Sequence, residues 1–401
     1  MSVSTYSLLS DRINSLAESQ TLAMTKKARE LSAQGFKVIN LSIGEPDFQT
    51  PQHVKDAAKK AIDEGNSWYT PVPGTLELRQ SIADKLRREN NLDWKPENIV
   101  VSTGAKQSLA NVILSLVNPG DEVIIFSPYW VSYSEIVKLA EGVPVLLEGS
   151  FDDGFKATAA QLEKAITSRT KVIMYSSPCN PTGAVFSKEE LTAIAQVVAK
   201  HENIFVLADE IYEYIRFNDN FFSIGSLDFI KDRVITVNGY SKGFAMTGWR
   251  IGYIAAAKWI ADACDKVQGQ VTSGTSSISQ KAALVAYNDL APTRAMAEAY
   301  LRRRDLVVSL MSEIPGVKTY LPDGAFYLFP DISYYLGKTD GKTVIKTAED
   351  LCLWLLSEAY VSLVTGEAFG EPNCIRMSFA ASDENLKEAI SRIKTTLAKL
   401  S

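Results

Sequence analysis

The sequence predicts an α/β protein: a large domain on a mostly parallel seven-stranded sheet, with a smaller α+β domain beside it. Three observations carry this. Seven short apolar runs alternate with helical stretches between residues 99 and 256. The pattern changes after about residue 290, where a long polar helix precedes short, mixed elements. A chain of 401 residues also exceeds what one hydrophobic core usually organises.

The elements follow in order. Residues 1–15 read as an N-terminal arm, tied to a partner subunit, and 16–48 lead toward the first domain. The runs at 99–102, 122–127, 143–147, 171–177, 204–208, 234–237 and 251–256 are continuously apolar, as strands buried on both faces are. Gly104 opens a helix to 117, and 188–200 repeats Leu191, Ile194, Val197 and Val198 at helical spacing. Strands that alternate with helices make a parallel sheet covered on both sides. Beyond, a helix over 291–314 leads to strands at 317–321 and 325–329, a helix at 349–358, a strand at 374–379 and a closing helix from 383. The expected division is a large domain at 49–289 and a small domain made of 16–48 with 290–401.

Composition narrows the chemistry. Apolar residues are 46%, charged residues 22% and the formal net charge is -5, so neither nucleic acid nor an anionic membrane is an expected partner. The opening residues lack a signal-peptide pattern, and the longest apolar runs, such as 112–117 and 351–356, are too short to span a bilayer. Four scattered cysteines without a CxxC pair fit a reduced, cytoplasmic protein. The two histidines, His53 and His201, read as solvated helix-face residues. With no HExxH, no Cys/His cluster and no G-x-S-x-G elbow, no metal site and no serine hydrolase is expected. The chemistry is left to lysine, tyrosine, carboxylate or a bound cofactor.

Open parallel sheets bind ligands at the carboxyl ends of their strands. Those ends collect Gly104, Ala105 and Lys106 at a helix start, then Trp130, Asn180, Asp209, Tyr212, Ser241 and Lys242. Each has an ordinary reading alone: NPTG at 180–183 is common turn chemistry, and a lone lysine is usually a surface group. Together they match a pyridine-aldehyde phosphate. The aldehyde needs an amine, Lys242, to form a Schiff base. The ring nitrogen needs a buried carboxylate, Asp209. The phenolate oxygen needs donors, here Asn180 and Tyr212, and the ring face needs Trp130. The phosphate needs the helix start at Gly104, Ala105 and Lys106 and a cation such as Arg250.

The run SKGFAMTGWRIG at 241–252 resembles the lysine signature of class I/II aminotransferases of pyridoxal phosphate (PLP) fold type I. Five further segments follow the family in order: LSIGEPDF at 41–48, YTPVPG at 69–74, NPTG at 180–183, DEIY at 209–212 and IRMSF at 375–379. The resemblance implies a homodimer with shared sites, in which Tyr69 reaches the partner's phosphate and 272–277 lies near the seam. It makes Lys242 the Schiff-base lysine and the base that moves the Cα proton. It makes Arg376 the bidentate grip on the substrate α-carboxylate, supported by Asn180 and the backbone of Gly44. Where many relatives carry a phosphate-binding serine, three residues before the lysine, this chain has Gly239; Ser241 or other donors must replace it.

The chain most resembles the bacterial-type aspartate aminotransferases, some of which also accept prephenate. In that subgroup Lys106 and Thr21 are implicated at the distal carboxylate, against the plainer readings of a phosphate helper and a helix cap. Amino acids and 2-oxo acids are thus the implied substrates. Other readings stay open: an aromatic or broad-range aminotransferase, a PLP β-lyase or decarboxylase on the same fold, and a non-catalytic PLP-binding regulator. The last usually carries a DNA-binding segment, which is not visible in this sequence.

Overall fold

A computed structural model describes residues 8–18 and 20–401. Residues 1–7 of the expected arm, and Ser19, lie outside the described residues.

Among the described residues twelve strands are formed. β1 is Ile39–Asn40, β2 Ile99–Thr103, β3 Glu122–Ser127, β4 Val143–Glu148, β5 Thr170–Ser176, β6 Phe205–Asp209, β7 Val234–Gly239, β8 Ile251–Ala255, β9 Tyr327–Leu328, β10 Val361–Ser362, β11 Val364–Thr365 and β12 Ile375–Ser378. Seven of them, in the order β2-β8-β7-β6-β5-β3-β4, make the sheet expected from the sequence. All its neighbours run parallel except β8, which is antiparallel to both β2 and β7. Period-two alternation sends Val123 and Ile125 to one face, against helices Ala105–Leu116 and Lys258–Val271, and Ile124 and Phe126 to the other, against helix Lys188–Ala199. Ser187 caps that last helix reciprocally with Glu190: Glu190 N donates to Ser187 Oγ at 3.2 Å, and Ser187 N donates to Glu190 Oε2 at 2.7 Å.

The carboxyl-terminal unit packs helices Ala291–Ser312, Ala348–Glu358 and Asp383–Leu397 around the order β11-β12-β9. Its core includes Met24, Ala28, Ile39 and Leu41 from the start of the chain, and β1 pairs with β10 in parallel. The strand expected at 317–321 does not form; a single bridge joins Lys318 to Asp331. Pro322, which lacks an N–H, stops the run. The expected 325–329 strand shrinks to β9, because Ala325 is left-handed at φ 57° and Pro330 lacks an N–H. The arm touches its own subunit, Arg12 pairing with Glu141 at 2.9 Å, and just after it Ala17 N donates to Glu135 Oε2 at 2.8 Å. His53 departs from a solvated face: it is half-buried, with Nε2 enclosed and unpartnered, because helix Gln52–Asp63 packs against the sheet's flanking helices.

Among the described residues no helix is long and apolar enough to cross a membrane, and no group of three or more His, Cys, Asp or Glu is placed to hold a metal.

Candidate active site

The parallel strands end at one edge, and β8 begins there because it runs the other way. That puts Arg250, just before β8, beside residues that follow β2, β3, β5, β6 and β7. A cavity of about 590 Å³ opens at this edge. Ala105, Lys106, Trp130, Asn180, Asp209, Tyr212, Ser241, Lys242 and Arg250 line it from the sheet side. Thr21, Gly44 and Arg376 line it from the other. Gly104 adjoins it as the residue before helix Ala105–Leu116. Tyr69 is not part of it; this phenol is 98% exposed.

Lys242 Nζ donates to the carbonyl of Gly44 at 2.5 Å, with the Tyr212 and Phe326 rings 5.7 and 5.8 Å away. Burial pushes its pKa down to about 8, with Arg376 and Arg250 adding to the shift and Glu45 and Asp209 opposing it. The shift brings the free amine, the form that attacks an aldehyde or takes a proton from carbon, within reach of mildly basic pH.

Asp209 ends β6 with its carboxyl enclosed. Burial raises its pKa to about 6, against Tyr133 Oη, which donates to Oδ2 at 2.7 Å, and Ile211 N, which donates to Oδ1 at 3.1 Å. A carboxylate held this way keeps a proton on a basic ring nitrogen that faces it. Tyr133 was not singled out from the sequence. It lies in the first turn of helix Ser132–Leu139, one turn past the strand-end segment where attention fell. Tyr327 and Glu45 also line the cavity; Tyr327 approaches from a distant part of the chain, and Glu45 stands beside Gly44 in a segment where only the backbone was singled out.

Arg376 stands inside β12 and is 1% exposed. Nη1 donates to Asn180 Oδ1 at 3.0 Å and Nη2 to the carbonyl of Ser42 at 2.7 Å, while Nε is buried without a partner. The rings of Tyr327 and Phe369 lie 4.6 and 4.8 Å from the guanidinium carbon, and Tyr327 Oη meets Tyr212 Oη at 2.8 Å. Among the described residues it has no ion pair. A buried cation without a counter-charge costs several kcal/mol unless an anion arrives, about what a bound carboxylate returns.

At the opposite corner, Gly104 has φ +81°, and a Cβ there would fall 2.0 Å from Arg250 Nη2. Glycine therefore leaves the first helical N–H groups bare beside a guanidinium, a cradle for an anion. Arg250 is itself left-handed at φ 58° and donates to the carbonyls of Thr247 and Thr103 at 2.8 and 3.3 Å. Lys106 Nζ lies 4.8 Å from the centre of the Trp130 ring, its pKa lowered by burial and by Arg250. The departure at Gly239 has a steric account: a Cβ would lie 2.8 Å from both Gly252 Cα and the Ile251 carbonyl oxygen on the adjacent β8. No serine fits there without moving the backbone, whereas Ser241 lines the cavity.

These residues fit pyridoxal phosphate. An amine of lowered pKa, an enclosed carboxyl with two donors and a glycine-opened cradle beside an arginine share one cavity. The family described as aminotransferase class I and II matches residues 37–393. An aspartate/prephenate aminotransferase of Cereibacter sphaeroides is 46% identical, over 98% of this chain and 99% of its own length. A solved aspartate aminotransferase of Rhizobium meliloti superposes with a TM-score of 0.95 at 43% identity, covering 98% of this chain and 99% of that one. One of Thermus thermophilus, solved with maleate, gives 0.91 at 40% identity over 97% and 99% of the two chains.

Proposed function

The chain belongs to the class I and II aminotransferases, PLP-dependent enzymes of amino and 2-oxo acids, and from that premise we propose that it moves the amino group between aspartate and 2-oxoglutarate. The observation that carries the reading is Arg376, a buried guanidinium held by two neutral acceptors, with Nε unpartnered and no ion pair among the described residues. The curated relative's name and the dicarboxylate maleate in the Thermus thermophilus enzyme support it.

When bound, PLP supplies an electron sink for charge at the substrate Cα. Asp209, steadied by Tyr133 and Ile211 N, holds the proton on the ring nitrogen. Gly104, Ala105, Ser241 and Arg250 would take the phosphate, and Trp130 and Tyr212 would bound the ring. Arg376 takes the α-carboxylate with Asn180 beside it, which orients the Cα–H toward Lys242. Lys242, which would hold the cofactor, would as a free amine remove the proton from the substrate Cα and deliver it nearby. Lys106 and Thr21 face the distal carboxylate.

The test is a donor panel with 2-oxoglutarate as acceptor, read for glutamate formed; aspartate should lead it. In the same panel Lys106→Ala should weaken aspartate about tenfold to a hundredfold and spare alanine and phenylalanine, the loss expected for one charge-assisted contact. Equal losses for all donors would move Lys106 to the phosphate and make a broad-range enzyme the better reading. Prephenate, itself a dicarboxylate, is the second acceptor to try, as the Cereibacter sphaeroides relative's name indicates.

The active form on this reading is a homodimer in the cytoplasm, divided into 49–289 and the 16–48 and 290–401 unit. Trp68 at 82%, Tyr69 at 98% and Val271 at 66% exposure make a bare aromatic and aliphatic patch that supports a partner there, and four buried, unpaired cysteines support a reducing compartment. Tyr69→Phe should weaken PLP binding about tenfold, one hydrogen bond to a charged group, and the protein should migrate as a dimer. A monomer that binds PLP with full affinity contradicts this.

A further inference from the structure

A second buried polar group lies behind the cavity, and the chemistry above does not use it. Lys85, on helix Leu76–Asn90, forms an ion pair with Glu213. Its Nζ also donates to Asn90 Oδ1 at 2.7 Å. Asn90 Nδ2 donates to Glu213 Oε2 at 2.8 Å and reaches Glu210 Oε2 at 3.5 Å. Ser223 Oγ donates to Glu210 Oε1 at 2.6 Å. Exposure is 0% for Lys85, 6% for Asn90, 1% for Glu210, 4% for Glu213 and 3% for Ser223, so the cluster is buried, with Glu213 at the edge of a second cavity.

Its place in the chain gives it meaning. Glu210 directly follows Asp209, and Glu213 directly follows Tyr212. The cluster therefore grips both ends of the short turn that carries two groups facing the cavity. The backbone ties, Glu210 N to the Val237 carbonyl at 2.8 Å and Glu213 N to the Glu210 carbonyl at 2.9 Å, hold the turn to β7 and to itself. The side-chain cluster ties it to helix Leu76–Asn90 by polar contacts, beside Tyr214 Oη, which donates to Glu89 Oε2 on the same helix at 2.5 Å. A buried ion pair is seldom worth more to stability than well-packed apolar residues of the same size. What directional contacts add is a fixed position. Burial pushes the Glu210 pKa up to about 8, with Glu213 and Asp209 adding to it and Ser223 and Lys85 opposing. Burial thus favours the protonated form of Glu210, and Lys85 pairs with Glu213. Tyr175 and Tyr253 feel the same carboxyls, and the Tyr214 ring lies 5.1 Å from Lys85 Nζ.

We propose that Lys85, Asn90, Glu210 and Glu213 are positioning residues that fix the Asp209–Tyr212 turn against the cavity and thereby set how tightly the cofactor is held. The proposal rests on the cofactor reading of Asp209. Borohydride fixation of PLP on Lys242 in the unaltered protein tests that reading separately.

The experiment compares the PLP-loaded protein with Glu213→Gln, which keeps shape and removes one charge, and Asn90→Ser, which leaves the ion pair intact. Three quantities are read: the PLP dissociation constant, the pH midpoint of the bound cofactor's visible band, and the melting temperature with and without PLP. Glu213→Gln should weaken PLP at least about tenfold, a part of the destabilisation that follows breaking a buried pair. It should also displace the band's midpoint by about half a pH unit or more and narrow the gap between loaded and PLP-free melting temperatures. Asn90→Ser should move all three the same way by less, and decides the matter if Glu213→Gln does not fold. A variant that melts earlier in both forms, with PLP affinity and midpoint within about twofold of the unaltered protein, would show a cluster that serves the fold alone and overturn the proposal.

Discussion

Lys242→Ala should lose at least about 10²–10⁴-fold in amino transfer, the contribution of a positioned acid–base group, and more where its covalent role is also rate-setting. The protein should stay folded, because Lys242 makes one hydrogen bond, to the Gly44 carbonyl, and no ion pair among the described residues. In the unaltered protein, borohydride should leave the reduced cofactor on Lys242 and on no other lysine. The pKa of about 8 sets the pH dependence. Below it the amine is protonated and cannot attack an aldehyde, so capture of PLP by the cofactor-free protein should speed up as pH rises through about 8 and level off above. A reduced adduct on another lysine, or capture that slows over that range, would remove Lys242 from the centre of the site.

Much of this site was legible before any coordinates, for a physical reason. Strands buried on both faces are continuously apolar, so the polar residue that ends each run stands out. Asp209 after Phe205–Asp209's apolar stretch and Ser241 with Lys242 after β7 are such cases. The parallel order then brings those ends together without further information. Legibility failed where position depends on a neighbour's approach. Tyr133 lies one turn into a helix, and Tyr327 reaches Tyr212 across 115 positions of sequence, and neither breaks an apolar pattern. Glu45 sits in a segment whose family likeness was noted but whose charge near Lys242 was not. The Gly239 departure became explicable only from the spacing to Gly252 across the β7–β8 pair. Short strands failed too: β9 has two residues, too few for periodicity to register.

Arg376→Ala should reduce kcat/KM for every amino acid by about 30-fold to several thousand-fold, the 2–5 kcal/mol that follows truncation of one partner in a buried charged contact. The breadth of the loss is the diagnostic part, because all amino acids share the α-carboxylate, whereas Lys106→Ala is selective for dicarboxylates. Arg376→Lys keeps the charge but loses the planar fork that bonds Asn180 Oδ1 and the Ser42 carbonyl together. It should recover only part of the loss, since a point charge holds a carboxylate without fixing its plane. The orientation of Cα–H toward Lys242 then suffers, and kcat falls along with the rise in KM. PLP binding should survive both substitutions, because Lys242, Asp209 and the Gly104 corner are untouched. A variant that loses its cofactor with its activity would mean that Arg376 and its contacts to Asn180 and Ser42 hold the cavity open. The substrate carboxylate would then need another cation, and Lys106 and Arg250, the other cationic residues facing the cavity beside Lys242, are where it would be sought.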